Sequence, residues 1–243
     1  MESPTAEPSQ PPDLSTSRPS VGVVLPAGGS GLRLGGERKQ FRLLGDAPVF
    51  VQTARAFTGH PDIAAVVVVA PFADTADVGR MLADFGVPAD VVAGGASRAA
   101  SVACGLAALP ERIQAVLVHD AVRPFVAPDL ISRVAAAVQA HGAAAAAVRV
   151  SDTLRRGDGD RFAETVERDG MWAMQTPQGA RRDFLEAAYA LAGEREPTDE
   201  AGLLAFADTP VTIVEGDARN VKVTTPTDWA LARGLWPVWD AAR

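Results

Sequence analysis

The sequence has a single cysteine, no long apolar run and no excess of basic residues. Each of these absences excludes a broad class of protein or partner. The sequence has one cysteine, Cys104, so no disulfide can form within the chain, and a reducing, cytoplasmic setting is predicted. Its longest apolar run, IAAVVVVA from Ile63, is too short to span a bilayer, so no membrane partner is predicted. Its formal net charge of -7 argues against a nucleic-acid partner. An anionic small molecule can still bind where basic residues are concentrated.

Two local compositions carry further predictions. Cys104 lies in the apolar run SVACGLAAL, which predicts a buried, unreactive thiol. Residues 1–20 are rich in Pro and Ser, have no periodic apolar pattern and lack the apolar region of a signal peptide, so they are predicted to be a disordered tail. Residues 21–243 are predicted to form a single domain, for which a chain that is 47% hydrophobic can supply the core.

Short apolar runs alternate with amphipathic or alanine-rich segments, a pattern typical of βαβ units and of a mostly parallel sheet. The near-continuous Val, Ala and Ile strands predict a sheet that helices cover on both faces, and hence a three-layer α/β fold. The predicted strands are 21–25, 63–70, 89–92, 115–118, 144–150 and 211–214. The predicted helices are 49–57, 75–85, 98–109, 128–141, 183–192, 198–207 and one from Pro226.

Residues 150–172 interrupt this alternation. The segment SDTLRRGDGDRFAETVERDGMW is polar, alternates weakly and contains a GDGD turn. These features predict a β-hairpin that projects from the sheet as an arm.

A glycine-rich loop follows the first predicted strand in VGVVLPAGGSGLRLGGERKQF, residues 21–41. Such loops commonly hold phosphates, because bare backbone N–H groups approach an anion closely. A P-loop is excluded, because Glu37 and Arg38 stand where Lys and then Ser or Thr would be required. A dinucleotide-binding turn is a weaker alternative: Gly29 and Gly31 fit, but no third glycine has the required spacing. The remaining interpretation is a loop that binds a nucleoside triphosphate.

The motif LPAGGSGLRL…KQF resembles the signature of nucleotidyltransferases that activate phosphorylated polyols and sugars, in particular the 2-C-methyl-D-erythritol 4-phosphate cytidylyltransferase family. Similar segments then follow in family order over nearly all of residues 21–235: GGASRAASV, VLVHDAVRPFV, SDTLR, ETVERDGMW, QTPQGA, PTDEAGL and EGDARNVKVTTPTD. The resemblance implies a Rossmann-like nucleotidyltransferase sheet with a projecting β-arm.

The activity that the resemblance implies is transfer of a cytidylyl group from CTP to 2-C-methyl-D-erythritol 4-phosphate, a step of non-mevalonate isoprenoid biosynthesis. The products are pyrophosphate and 4-diphosphocytidyl-2-C-methyl-D-erythritol. A sister cytidylyltransferase that uses ribitol 5-phosphate is the nearest alternative. A catalytically silent nucleotide-binding protein is an alternative from another class.

The resemblance also implies a nucleotide site at the two glycine-containing loops. Its nucleotide-binding residues are Ala27, Gly28, Gly29, Gly31, Gly94, Gly95 and Ser101. Arg33 and Lys39 are implied to be catalytic, because positive groups near the α-phosphate stabilise the charge that gathers there in the transition state. The alternative for the second loop is an ordinary turn before a helix that Ser97 caps, and Arg98 is either a site residue or a structural one.

Asp120 ends a predicted buried strand, where ligands collect in open α/β sheets. A hard carboxylate there suits Mg²⁺, which is the predicted cofactor, with Asp120 as its ligand. His119 is predicted to be a packed or hydrogen-bonded imidazole and not a base. Arg123 either holds Asp120 in place or contacts the polyol, and both alternatives remain open.

The polyol phosphate needs cations and hydroxyls of its own. The resemblance assigns catalytic roles to Arg168 and Lys222 and substrate-binding roles to Arg123, Thr153 and Thr176. In similar proteins the arm is exchanged between subunits. A homodimer formed through the arm is therefore predicted, in which Arg168 and Thr153 serve the neighbouring site.

Overall fold

The fold is described here from a computed structural model, which describes residues 20–28, 39–193 and 195–242. The predicted tail, up to residue 19, lies outside the described residues. So do three of the predicted site residues, Gly29, Gly31 and Arg33, and the side chain of Lys39.

The described strands are β1 (Ser20–Pro26), β2 (Leu43–Leu44), β3 (Ala47–Pro48), β4 (Ile63–Ala70), β5 (Asp90–Ala93), β6 (Ile113–Val118), β7 (Ala143–Arg149), β8 (Leu154–Asp158), β9 (Arg161–Val166), β10 (Trp172–Arg181) and β11 (Thr212–Glu215). The described helices are α1 (Val49–Thr58), α2 (Thr75–Asp84), α3 (Arg98–Ala108), α4 (Pro128–His141), α5 (Arg182–Ala192), α6 (Glu200–Ala205) and α7 (Pro226–Asp240). The predicted strands and helices are confirmed to within a few residues at each end.

Seven strands of the described chain form one sheet in the order β11-β7-β10-β6-β1-β4-β5. Strand β1 pairs in parallel with β4 and β6, β4 with β5, and β7 with β11. The mostly parallel sheet is therefore confirmed. Its topology brings the carboxyl ends of β1, β4, β5 and β6 to one edge of the sheet, where ligand sites of open α/β sheets lie.

Strand β10 was not among the predicted strands. It runs antiparallel between β6 and β7, and its register with β7 breaks between Met174 and Gln178. Its first residue, Trp172, was predicted to end the arm, and Thr176 in QTPQGA was predicted to bind substrate. Pro177 lacks the N–H that a central strand requires, so the segment does not resemble a strand in sequence. The break in register lets residues 175–177 leave the ladder beside the end of β6.

Helices cover both faces of the sheet, as the near-continuous apolar strands predicted. On one face, helices α1, α2 and α4 bury apolar side chains such as Phe50, Leu82 and Leu130 against the sheet. On the other face, helices α3, α5 and α6 contribute apolar side chains that include Leu106 and Leu185. Helix α7 packs its two buried tryptophans into a smaller separate cluster. The three-layer architecture is confirmed.

Cys104 corrects one prediction. Helix α3 turns Ser101, Val102, Gly105 and Leu106 towards the sheet, which leaves Cys104 exposed on the outer face. The prediction of a buried thiol is wrong, because the apolar composition of the run does not show which face of the helix each residue occupies.

The predicted arm is present as a hairpin. Strands β8 and β9 pair antiparallel in a two-stranded sheet of their own, and Phe162 on β9 is 83% exposed. Along the described ranges, no helix has both the length and the apolar character needed to cross a membrane.

Candidate active site

A cavity of about 400 Å³ opens at the edge of the sheet where the parallel strands end. Its walls come from the segments that directly follow β1, β4, β5 and β6, together with the loop before α7. Its lining residues include Ala27, Gly28, Gln40, Pro71, Gly94, Gly95, Ser97, Arg98, Ser101, Asp120 and Lys222. All five of the predicted nucleotide-binding residues that the structure describes therefore meet in one cavity.

A second cavity of about 220 Å³ adjoins the first. Its lining includes Arg123, Met174, Gln175, Thr176, Gln178, Thr198 and Asp199. Three residues, Arg98, Asp120 and Lys222, line both cavities and so form their common wall. The broken register of β10 brings Thr176 to the second cavity.

The loop after β5 packs closely against the start of α3. A Cβ atom at Gly94 would lie 2.6 Å from Ser101 Oγ, and one at Gly95 would lie 2.5 Å from Ala100 Cβ, so neither position has room for a side chain. Ser97 caps α3, because its side chain accepts a hydrogen bond from the Ala100 N–H at 3.2 Å. The Ser101 hydroxyl donates to the Ser97 carbonyl at 2.8 Å, which leaves the Ser101 oxygen as an acceptor in the cavity wall.

Asp120 stands at the centre of a group of cations. Its Oδ2 lies 2.9 Å from Lys222 Nζ and 3.2 Å from Arg123 Nε, whereas its Oδ1 lies 3.8 Å from Arg98 Nε. Burial alone would raise the pKa of Asp120, but the charges of Lys222, Arg123 and Arg98 outweigh burial and lower that pKa to about 2. Asp120 is therefore ionised at neutral pH. Its Oδ2 is saturated, while no described donor lies within hydrogen-bond distance of its Oδ1.

A directed chain of hydrogen bonds fixes His119 and the backbone of Asp120. The Asp120 N–H donates to Thr176 Oγ1 at 3.1 Å, and Thr176 Oγ1 lies 3.0 Å from His119 Nδ1. His119 Nε2 faces the Arg123 carbonyl at 3.0 Å and must donate to it, so Nδ1 accepts the Thr176 hydroxyl proton. Burial lowers the pKa of His119 to about 4. The prediction of a packed, hydrogen-bonded imidazole is confirmed.

Arg123 holds Asp120 in place, which was the first of its two predicted alternatives. Besides Asp120 it donates to the Asn220 carbonyl from Nη1 at 2.7 Å. The Asn220 amide in turn donates to the Thr176 carbonyl at 2.7 Å. These bonds tie the loop before α7 to strand β10, and this tie places Lys222 beside Asp120.

Three residues of the site were not singled out by the sequence. Gln40 is buried and donates to the Ala27 carbonyl at 2.9 Å, which joins the two ends of the glycine-rich loop. Glu200 begins α6 and accepts two hydrogen bonds from Arg98, at 2.8 and 3.0 Å. Gln178 accepts the Ala201 N–H at 2.9 Å and so anchors α6. Glu200 and Gln178 lie within the quoted motifs PTDEAGL and QTPQGA, but nothing in those motifs identifies their partners.

The remaining predicted residues lie elsewhere. Thr153 and Arg168 belong to the exposed arm and line neither of the two cavities of the same chain. Arg168 bonds to the Ser151 carbonyl and borders another cavity, of about 390 Å³, at the base of the arm. Lys39 begins a short 3-10 turn, Lys39–Phe41, at the end of the glycine-rich loop.

A metal at this site would have few protein ligands. The described residues contain no group of three or more His, Cys, Asp or Glu side chains that could hold a metal ion. Asp120 is ionised and its Oδ1 is open, whereas Glu200 is engaged by Arg98. Mg²⁺ usually keeps several waters and binds through one or two carboxylates plus substrate phosphates. Asp120 fits that role as a single carboxylate ligand beside a triphosphate.

Known proteins resemble this chain over most of its length. The family model for 2-C-methyl-D-erythritol 4-phosphate cytidylyltransferase matches residues 21–236. The Salinibacter ruber protein of that name is 50% identical over 223 residues, which cover 90% of this chain and 94% of the relative. The Frankia casuarinae protein of that name is 41% identical, covering 94% of this chain and 86% of the relative. The crystal structure of the Thermus thermophilus protein of that name superposes with a TM-score of 0.77 at 35% identity, covering 90% of this chain and 99% of that one. With this match over most of its length, the chain belongs to the 2-C-methyl-D-erythritol 4-phosphate cytidylyltransferase family.

Proposed function

We propose that this chain transfers a cytidylyl group from CTP to 2-C-methyl-D-erythritol 4-phosphate, releasing pyrophosphate and forming 4-diphosphocytidyl-2-C-methyl-D-erythritol. The observation that carries the proposal is the common wall of the two cavities. A triphosphate in the larger cavity and a phosphomonoester in the smaller one would meet at Arg98, Asp120 and Lys222. The identity of the two substrates rests on membership of the family.

The site supplies what this reaction needs, which is positive charge and alignment. An oxygen of the phosphomonoester attacks the α-phosphorus of CTP, and the bond to pyrophosphate breaks. A phosphomonoester is largely ionised at neutral pH, with a second pKa of about 6, so the attack needs no general base. The buried His119 is accordingly left out of the chemistry. Because two anions must meet, cations that neutralise their repulsion and the developing charge lower the barrier.

The larger cavity is the proposed CTP site. Its volume is suited to a small-molecule ligand, and its glycines at 28, 94 and 95 let a planar base and phosphates approach the backbone. The open acceptor on Ser101 is suited to the amino group of cytosine, which is a hydrogen-bond donor. On family resemblance, Gly29, Gly31, Arg33 and Lys39 complete this site, with Arg33 and Lys39 acting on the α-phosphate.

Asp120 is the proposed Mg²⁺ ligand, acting together with oxygens of the triphosphate. The bound ion would neutralise part of the triphosphate charge and help to orient it. Within this chain, Arg123 and Lys222 hold the Asp120 carboxylate in a fixed position for that role.

The smaller cavity is the proposed site of the polyol phosphate, and its described lining includes the cations Arg98, Arg123 and Lys222. Thr176 is buried and its hydroxyl is already bonded to His119 and Asp120, so its proposed role is to hold those two residues. Arg168 and Thr153 would complete this cavity from the arm of a second subunit in a homodimer. The exposed Phe162 on the arm offers apolar surface for such an exchange.

The reaction takes place, on this proposal, in the cytoplasm, for which the single cysteine is the supporting observation. The test of the function is pyrophosphate release from CTP with 2-C-methyl-D-erythritol 4-phosphate and, separately, with ribitol 5-phosphate. We expect turnover with the first acceptor. Turnover with ribitol 5-phosphate alone would overturn the substrate assignment. Binding of CTP in a calorimeter, without product from either acceptor, would overturn the enzymatic proposal.

A further inference from the structure

Arg98 and Glu200 form an ion pair whose two members are unequally buried. The guanidinium donates from Nη1 and Nη2 to the two carboxylate oxygens of Glu200, at 2.8 and 3.0 Å. The Glu200 side chain is 2% exposed, whereas that of Arg98 is 28% exposed and lines both cavities. Glu200 thus stands behind Arg98, on the side away from the ligand cavities.

Glu200 is itself held rigidly. Asp199 caps its helix: one carboxylate oxygen of Asp199 accepts the Gly202 N–H at 2.9 Å, and the other accepts the Gln178 amide at 3.0 Å. Gln178 belongs to β10 and accepts the Ala201 N–H at 2.9 Å. These bonds anchor the start of α6, which carries Glu200, to strand β10 of the central sheet.

The pair also sets the distance between Arg98 and Asp120. With both Nη atoms bonded to Glu200, only Nε of Arg98 faces Asp120, and it lies 3.8 Å from Oδ1. That distance is too long for a hydrogen bond. Asp120 Oδ1 is consequently the carboxylate oxygen left open to a ligand, while Oδ2 is saturated by Lys222 and Arg123.

Stability alone does not account for the pair. A buried ion pair is often no more stabilising than apolar residues of similar volume, because both charges must be desolvated. The geometry of this pair suggests another role: both Nη atoms of Arg98 face the buried Glu200, and neither is bonded to Asp120.

We propose that Glu200 is a positioning residue that holds Arg98 off Asp120, so that Asp120 Oδ1 stays open and the common wall of the two cavities keeps its shape. The proposal rests on the proposed function. Without the Glu200 charge, the Arg98 guanidinium would bond directly to Asp120 Oδ1 and occupy the position where the ligand is expected.

The first test is Glu200→Gln, which keeps the size of the side chain and removes its charge. We expect kcat with CTP and 2-C-methyl-D-erythritol 4-phosphate to fall ~10-fold to 100-fold, as for misplacement of a catalytic group by about 1 Å. Glu186→Gln is the matched control, because Glu186 accepts a hydrogen bond from Arg182 at 2.8 Å on the exposed side of α5, outside both cavities. We expect the control to keep wild-type turnover.

A double-mutant cycle tests whether Glu200 acts through Arg98. In the background Arg98→Met, no guanidinium is left to move onto Asp120. We therefore expect Glu200→Gln to change kcat by less than about twofold in that background. An equal loss in both backgrounds would overturn the proposal. Arg98→Met combined with Glu200→Gln leaves no unpaired buried charge. If Glu200→Gln alone does not fold, Glu200→Met, which also removes the charge at similar length, replaces it in the cycle.

A readout independent of turnover completes the experiment. In a crystal structure of Glu200→Gln without substrates, we expect Arg98 within about 3 Å of Asp120 Oδ1. An unchanged separation would contradict the proposal even if activity were lost. Failure of the wild-type chain to make product would instead contradict the proposed function, and the crystallographic test would still decide the positioning role.

Discussion

Lys222 Nζ lies 2.9 Å from Asp120 Oδ2, although the two residues come from segments far apart in the chain. Lys222 is 42% exposed and lines both cavities, whereas Asp120 is nearly buried between them. The partly exposed ammonium is thus anchored on a buried carboxylate, with donors left over for a ligand. The proposed chemistry depends on this arrangement of cations around one carboxylate.

Loss of the Lys222 charge is expected to impair turnover. Lys222→Met should lower kcat/KM by ~100-fold or more, a loss typical of removing one group that stabilises transition-state charge. Arg80→Met is the control, because Arg80 is an exposed cation on α2 that pairs with Asp77 and lines neither cavity. Steady-state pyrophosphate release measures both variants. A Lys222→Met enzyme within threefold or so of wild type would remove Lys222 from the catalytic residues.

The lysine content of the chain allows a chemical test of the nucleotide site. Among 23 basic residues the sequence has two lysines, Lys39 and Lys222, and the family resemblance assigns both to the site. We expect CTP to protect both side chains from acetylation by an amine-reactive reagent, measured by mass spectrometry. The N-terminal amine serves as the internal control and should be labelled equally with and without CTP. Equal labelling of both lysines in the two conditions would show that CTP binds elsewhere.

Gly28 allows ligand binding to be tested apart from folding. Among the described residues, no atom lies within 4 Å of a Cβ built at Gly28, which lines the larger cavity. Gly28→Ala should therefore change the free energy of unfolding by less than about 1 kcal/mol. It should raise the KM for CTP about tenfold, because the added methyl group occupies ligand space. Gly79→Ala is the control: it also has open space, but lies within α2 and should leave the KM for CTP unchanged.

His119 makes the stability of the fold depend on pH. Burial lowers its folded-state pKa to about 4, from an ordinary value of 6.5, so between these values the unfolded chain binds a proton that the folded chain does not. The stabilisation is complete above pH 6.5 and is lost progressively as the pH falls towards 4. We expect the free energy of unfolding to decrease by roughly 2 kcal/mol between pH 7 and pH 5.

Urea unfolding of two variants checks the assignment to His119. His119→Gln should flatten the profile between pH 7 and pH 5, whereas His141→Gln, at the exposed end of α4, should retain the wild-type slope. Asp120 cannot account for this slope. Its pKa is lowered from 3.8 to about 2, so its protonation reduces the free energy of unfolding only at pH values below about 3.8. A wild-type slope in His119→Gln would refute the assignment.

Exchange of the arm is expected to show itself as complementation between two inactive variants. Arg168→Ala and Lys222→Ala should each be nearly inactive alone. If Arg168 serves the partner's site, a mixed dimer has one site with both lesions and one site with none. Unfolding and refolding an equimolar mixture should therefore restore about a quarter of wild-type activity, because half of the dimers are mixed and each has one intact site of two.

The same mixture also tests the alternative that Arg168 serves the site of its own chain. If Arg168 served its own chain, every site in the mixture would carry one lesion, and no activity would return. The control is the Lys222→Ala variant refolded alone, which should stay inactive. A chain that remains monomeric at assay concentrations, yet is fully active, would overturn the proposed dimer.

Sequence patterns predicted some elements of the fold with their exact bounds and missed others. Helix α4 and strand β4 were predicted with the bounds that they have in the structure, because hydrophobic periodicity and the breakers Pro128 and Pro71 are local signals. Strand β10 was missed, because its antiparallel place between β6 and β7 is a property of the whole sheet and Pro177 argues locally against a strand. The exposure of Cys104 was also misjudged, since composition alone does not assign a helix face.

In the candidate site, too, some features could be predicted from the sequence and others depended on the tertiary structure. The alternation of apolar and amphipathic segments was sufficient to predict a mostly parallel α/β sheet, and the resemblance of the motifs to the family selected Asp120, Lys222 and the glycines of both loops. Tertiary structure alone decided which groups from distant segments are paired: Arg98 with Glu200, Thr176 with His119, and Asp120 with Arg98 and Lys222. Local sequence governs backbone conformation, because turns and helices depend on near neighbours. The charge state and orientation of a buried group depend on whatever the fold packs against it, and those partners are distant in the chain.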